Sequence, residues 1–144
     1  DPSSFNLKLT DLQAALGLSQ LGRLSAFHER RRFLAAAYRE ALSSKAAVCP
    51  SVPPGRTHGY YRFVVRLPHL RSDPEGLLGP IGRLEQQGIH CRKPVFRPLH
   101  RYLDQSGFPN SDEADRTALS IPLYPDLTDD EVRQIQQSLA KVLS

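Results

Sequence analysis

The sequence has little cysteine, and its two cysteines are not arranged as a metal or disulfide motif. Cys49 and Cys91 lie far apart and form no CxxC pair, which argues against a zinc site and against a disulfide framework. Two separated thiols fit a reducing compartment, so we expect a cytoplasmic protein. The five histidines show no HExxH or similar spacing, and we therefore expect no metal.

Long apolar runs and concentrated basic charge are also missing. No apolar run approaches the roughly 18–20 residues that cross a bilayer, and no basic-then-apolar leader opens the chain. We expect neither a membrane span nor secretion. The net charge is +4, but its one tight basic run, Arg30 to Arg32, shares a predicted helix with Glu29 and Glu40. Because no aromatic residues interleave suitably with the basic ones, we expect no nucleic-acid partner.

Familiar catalytic motifs are absent as well. No nucleophile–base pair or glycine-rich phosphate loop can be identified. Gly76, Gly79 and Gly82 are regularly spaced, but they lie within a predicted helix and follow no strand of the dinucleotide-binding type. What remains is a chain of 144 residues with 40% apolar residues, which is long enough for one domain with a real core.

Helical signals dominate both ends of the chain. Thr10 and Gln13 have capping-box spacing and predict a helix over residues 10–22, and Ser25 has the form of an N-cap for a second helix over 26–43. Thr128 and Glu131 form another capping box. The helix that it opens has an apolar stripe on one face. Further helices are predicted over residues 72–88 and from Ser111 to about Leu119.

Strand signals are few and short. Residues 60–67 are rich in aromatic and β-branched side chains and end at Pro68, so they predict a strand. Residues 89–93 predict a second strand, residues 94–109 an irregular segment, and residues 120–125 at most an edge strand because of their two prolines. The resulting order, α-α-β-α-β-α-α, predicts a small α+β domain.

Two polar clusters are candidates for binding. Asn6 and Lys8 precede the first helix, where an amide, an ammonium and a helix N-terminus could contact a phosphate; simple exposure is the alternative. The second cluster lies in a proline-stiffened loop that could hold polar groups against a ligand, and an exposed basic loop without a partner is its alternative. Its members are Arg92, Lys93, Arg97, His100 and Arg101.

Four ordered stretches give the chain a family resemblance. It resembles the DegT/DnrJ/StrS family, whose members are pyridoxal-phosphate-dependent aminotransferases acting on nucleotide-linked keto sugars. The stretches are FNLKLTDLQAALGLSQL at 5–21, FHERRR through YREAL at 27–42, GIHCRKPVFRPLH at 88–100 and LSIPLYPDLTDDEV at 119–132. Together they span essentially the whole chain.

The resemblance implies that this chain is the C-terminal part of such an enzyme. It implies the small α+β C-terminal domain of a fold-type-I transferase, with long N-terminal helices, a small sheet and C-terminal helices. Residues 1–45 would link to an upstream large domain, and residues 46–144 would form the small domain. No catalytic residue is then expected here, since the Schiff-base lysine would lie upstream. The lysines of this chain that match no such position are Lys8, Lys45, Lys93 and Lys141.

The resemblance also implies partners and site residues. In a homodimer, Asn6 and Lys8 would reach the pyridoxal phosphate of the neighbouring subunit, while His100, Arg92 and Arg97 would lie on the substrate side. The substrates would be glutamate and a nucleotide-linked keto sugar used in polysaccharide, lipopolysaccharide or antibiotic sugar synthesis. Alone, the chain would be inactive, and the apolar stripes of residues 10–42 would be exposed.

Two alternatives stay open. A sugar 3-dehydratase of the same family shares the fold and cofactor but has histidine at the Schiff-base position. A non-catalytic binding module is the alternative from a different class.

Overall fold

A long first helix organises the computed structural model, which describes residues 8–44 and 46–143. This helix, α1, runs from Asp11 to Ala41 without a break. It begins at the predicted capping box, where Thr10 accepts a hydrogen bond from the Gln13 backbone and the Gln13 side chain accepts one from Thr10 N. Asn6 lies outside the described residues.

The predicted break at Ser25 is wrong. Residues 11–41 contain no proline, and an isolated glycine such as Gly22 costs a helix only about 1 kcal/mol relative to alanine. The many alanine, leucine and arginine residues around it offset that cost. The two predicted helices are therefore one.

A two-stranded antiparallel sheet lies at the centre of the domain. Strand β1 covers Phe63–Arg66 and strand β2 covers Ala118–Ile121, with Phe63 opposite Ile121. Single bridges extend this sheet on either side, from Val48 to Arg66 and from Arg92 to Ser120. The predicted strand at 89–93 is thus reduced to one bridge. Of the segment at 120–125, which was expected to be at most an edge strand, Ser120 and Ile121 belong to β2, and Ser120 pairs with Val64 on one side and with Arg92 on the other.

Four further helices surround the sheet. They are α2 (Leu78–Glu85), α3 (Leu99–Tyr102), α4 (Pro109–Thr117) and α5 (Asp129–Val142), and a 3-10 helix covers Pro68–Ser72. The helix predicted from residue 72 starts later because Gly76 adopts a φ of +53°, which an α-helix cannot continue. Helix α4 starts at Pro109 rather than behind a Ser111 cap, because proline suits the first turn of a helix.

The core joins the second half of α1 to the sheet and to α5. Tyr38 is fully buried, its ring meets Phe63 edge to face at 5.7 Å, and its hydroxyl donates to the Pro122 carbonyl at 2.9 Å. Helix α5 begins at its predicted capping box and buries Ile135 and Leu139 against this core. The α+β class is confirmed; the division at residue 45 stays a prediction.

The two halves of α1 differ in burial. Leu34, Tyr38 and Leu42 are buried, so the expectation that the apolar stripes of residues 10–42 are exposed is wrong for this half. The first half is exposed as expected. Its exposed leucines are Leu12, Leu16, Leu18, Leu21 and Leu24, and Leu9 just before the helix is exposed as well.

Candidate functional site

An open groove of about 670 Å³ lies beside the sheet. The residues just before β1, helix α2, the segment around Pro94 and the end of β2 meet there. Its walls carry four basic side chains and, among the described residues, no aspartate or glutamate. The basic residues are Arg62, His90, Arg92 and Lys93. The other residues that line the groove are Tyr61, Ile81, Cys91, Pro94, Phe96, Ser120, Ile121, Pro122 and Leu123. A concave surface of one charge sign concentrates ligands of the opposite sign, so this groove suits an anion.

The backbone of Arg92 fixes its place at this groove. Its N–H donates to the Ser120 carbonyl at 3.1 Å, and its carbonyl accepts from the Ser120 N–H at 2.8 Å. This bridge attaches residue 92 to the outer edge of β2. Of the three predicted substrate-side residues, Arg92 alone lines the groove in the described part of the chain.

Arg97 folds back along its own loop. One guanidinium nitrogen donates to the Arg101 carbonyl at 2.6 Å, and the guanidinium lies 5.0 Å from the centre of the Tyr102 ring. These contacts turn the arginine toward the C-terminal end of the loop. The structure therefore gives Arg97 a place in the loop rather than in the groove wall.

His100 packs against α4. Its ring is buried and stacks on Phe108 at 5.2 Å, and Nε2 lies 3.1 Å from Asp112 Oδ1. Asp112 also accepts from Arg101 at 2.8 Å. Hydrogen bonds from Arg101, and secondly from His100, lower the pKa of the Asp112 carboxyl. His100 thus anchors the loop, and its predicted contact with substrate stays a prediction.

Sequence reasoning missed Arg62, which links the strand to the loop. It lies just before β1, and its guanidinium donates to the Pro94 carbonyl at 2.6 Å. The signal was present, because Phe63 and Val65 face the core and their neighbours Arg62 and Arg66 alternate with them. The other predicted contact, Lys8, is exposed just before α1, and nothing brings it to the groove wall among the described residues.

The groove does not fit a complete pyridoxal-phosphate site on its own. Its lysine, Lys93, has Nζ 3.2 Å from Asp115 Oδ1, and that carboxylate is buried. The described walls also offer no carboxylate to pair with a pyridine nitrogen. Across the described residues, no cluster of histidine, cysteine, aspartate or glutamate could hold a metal, and no helix is long and apolar enough to cross a membrane.

Comparison with known proteins decides the family. A model of the DegT/DnrJ/EryC1/StrS aminotransferase family matches residues 2–140. The chain belongs to this family. Among relatives, it is 32% identical to the dTDP-4-dehydro-2,3,6-trideoxy-D-glucose 4-aminotransferase of Saccharopolyspora spinosa, over 92% of this chain and 34% of that protein. It is 29% identical to the dTDP-4-dehydro-2,6-dideoxy-D-glucose 3-dehydratase of the same organism, over 97% and 32%.

Solved structures of the family share the fold. The crystal structure of the aminotransferase TlmJ from Streptoalloteichus hindustanus superposes with a TM-score of 0.79 at 31% identity, covering 92% of this chain and 36% of that one. The chain thus spans about a third of the length of the relatives it matches. Its architecture corresponds to one part of a DegT/DnrJ/EryC1/StrS aminotransferase.

Proposed function

We propose that this chain is the C-terminal part of a pyridoxal-phosphate-dependent aminotransferase that moves an amino group from glutamate to a nucleotide-linked keto sugar. The observation that carries the proposal is the 32% identity, over nearly the whole chain, to a relative named as a dTDP-keto-sugar 4-aminotransferase. The cofactor and its Schiff-base lysine belong to the upstream part of the intact protein. The present chain is then inactive alone.

The groove supports an anionic substrate. Arg92 and Lys93 stand on one wall and Arg62 on another, and a nucleotide-linked sugar carries a diphosphate. Cations in a concave site attract such a group and orient it by charge-assisted hydrogen bonds. In this proposal Arg92 contacts the substrate directly, whereas Arg97 and His100 hold the loop that borders it.

The remaining roles concern the assembly. We place the intact enzyme in the cytoplasm as a homodimer, with Asn6 and Lys8 directed to the phosphate of the pyridoxal phosphate of the neighbouring subunit. An amide and an ammonium are both suited to a phosphate. The product would serve polysaccharide, lipopolysaccharide or antibiotic sugar synthesis.

A sugar 3-dehydratase is the second candidate. It is favoured by the 29% identity to the 3-dehydratase of Saccharopolyspora spinosa over 97% of this chain. The two candidates differ at the residue that would meet the cofactor aldehyde, which is lysine in one and histidine in the other. Sequencing the gene upstream of the codon for Asp1 separates them. A stop codon or a start codon close to Asp1 would instead favour the non-catalytic binding module.

Mixing the 144-residue chain with pyridoxal phosphate tests the assignment of catalysis to the upstream part. We expect no stoichiometric absorbance band of a lysine adduct and no mass increase after borohydride reduction. Chain heated with the cofactor in denaturant is the control for nonspecific lysine labelling. A one-to-one adduct trapped on a single lysine of the native chain would refute the proposal.

A further inference from the structure

Helix α4 carries two carboxylates that each bind two cations. Asp115 lies 3.2 Å from Lys93 Nζ and 3.0 Å from Arg101 Nη1, and its side chain is 6% exposed. Glu113, two residues earlier on α4, pairs with Arg66 and Arg71 and with no residue of 93–101. Asp115 therefore joins the two ends of one segment, residues 93–101, to the same point on α4.

The second end of this segment is fastened twice. Arg101 reaches Asp115 through one guanidinium nitrogen and Asp112 through another, at 2.8 Å. His100 adds its own contact to Asp112 at 3.1 Å. Charge-assisted hydrogen bonds of this kind are roughly twice as strong as neutral ones and fix direction as well as distance. The C-terminal end of the segment is thus held by two carboxylates one turn apart.

The middle of the segment is poorly packed. Phe96 is 93% exposed, Leu99 is 72% exposed, and a cavity of about 230 Å³ separates the segment from α4. Arg62 donates a hydrogen bond to the Pro94 carbonyl. The hydrogen bond of Arg97 goes to the Arg101 carbonyl, which lies within the segment, so it does not attach the segment to the rest of the domain. Pro98 is the one buried apolar residue between Lys93 and His100, so the conformation of residues 93–101 depends largely on its charged ends.

We propose that Asp115 is a positioning residue, which holds residues 93–101 in the one conformation that sets Lys93 and Phe96 at the groove, beside Arg92, which its own bridge to Ser120 holds. It acts on the ligand only through Lys93 and Arg101. That the ligand is the nucleotide-linked sugar rests on the proposed function. The attachment of residues 93–101 to α4, called the pinned segment below, does not rest on the proposed function, because it follows from the contacts of this chain.

Asp115→Asn is the direct perturbation, and Glu113→Gln is its matched control. Each replaces a carboxylate on α4 by its amide and weakens two ion pairs, but only the first touches residues 93–101. In hydrogen exchange on the chain, Asp115→Asn should speed the amides of Arg101, Leu103 and Gln105 by about tenfold or more. Glu113→Gln should leave these three rates unchanged. In the intact enzyme, Asp115→Asn should raise KM for the nucleotide sugar about 10- to 100-fold with kcat nearly unchanged.

The outcomes separate the two claims. Unchanged exchange in Asp115→Asn, or equal acceleration in Glu113→Gln, overturns the pinned segment. Faster exchange with unchanged KM overturns its role in substrate positioning. If the wild-type enzyme transfers no amino group, the proposed function fails and the substrate role fails with it, while the exchange data still decide the pinning. Should Asp115→Asn fail to fold by circular dichroism, Arg101→Gln removes the same C-terminal attachment and is read by the same amides.

Discussion

The same substitution should destabilise the protein far more in the second half of α1 than in the first half. Leu34 is fully buried in the core, whereas Leu12 in the same helix is 81% exposed. Leucine to alanine in a core costs the transfer free energy of the lost methyl groups plus a cavity term, together about 2–5 kcal/mol. On an exposed helix face the same change lies within about 0.5 kcal/mol. Because both variants replace leucine by alanine within the same helix, the difference between them reports the effect of burial and not of helix propensity.

Urea unfolding followed by far-ultraviolet circular dichroism measures this difference. With a slope of about 2 kcal/mol per molar urea, Leu34→Ala should lower the midpoint by about 1–2.5 M and Leu12→Ala by less than about 0.25 M. Two protein concentrations separate unfolding from dissociation, because only a midpoint set by association moves with concentration. Equal shifts in the two variants at low concentration would refute the difference in burial between the two halves of α1.

Three other predictions concern acid, thiols and association. The hydrogen bond from Arg71 is the largest of the contacts that lower the pKa of Glu113. The stabilisation from ionised Glu113 is therefore complete above the unfolded pKa of about 4.3 and is lost as the pH falls through the lower folded pKa. Glu113→Gln should reduce the fall of the urea midpoint at acid pH, and an unchanged fall would contradict this prediction. Burial raises the pKa of Cys91 to about 12, so half-buried Cys49 should be alkylated first in native chain, and mass spectrometry showing the reverse order opposes this. The exposed leucines of residues 9–24 should make the chain self-associate in sedimentation, and a clean monomer at high concentration would count against it.

Local chemistry explains which elements could be predicted from the sequence. Both capping boxes were identified because each lies within four residues and needs no tertiary partner. The predicted break at Ser25 was wrong because no local residue stops a helix there. The burial of Leu34 and Tyr38 stabilises the continuous helix. The late start of α2 depended on the positive φ of Gly76, which spacing alone does not reveal.

The groove could be predicted only in part. A basic cluster around Arg92 was visible in the sequence. The fold brings this cluster close to Arg62, which precedes β1 and lies about thirty residues earlier, and sequence alone does not set that approach. The position of His100 was unexpected because its burial depends on Phe108 and on Asp112 of α4. Non-local contacts of this kind come from the fold as a whole.

The most direct test of the account is the reaction of the intact gene product. Purified with its cofactor, it should convert glutamate to 2-oxoglutarate in step with the formation of an amino sugar from a nucleotide-linked keto sugar, both followed by mass spectrometry. The 144-residue chain, assayed in parallel, should form neither product. Dehydration of the sugar without 2-oxoglutarate formation, or amino transfer by the 144-residue chain alone, would contradict the account.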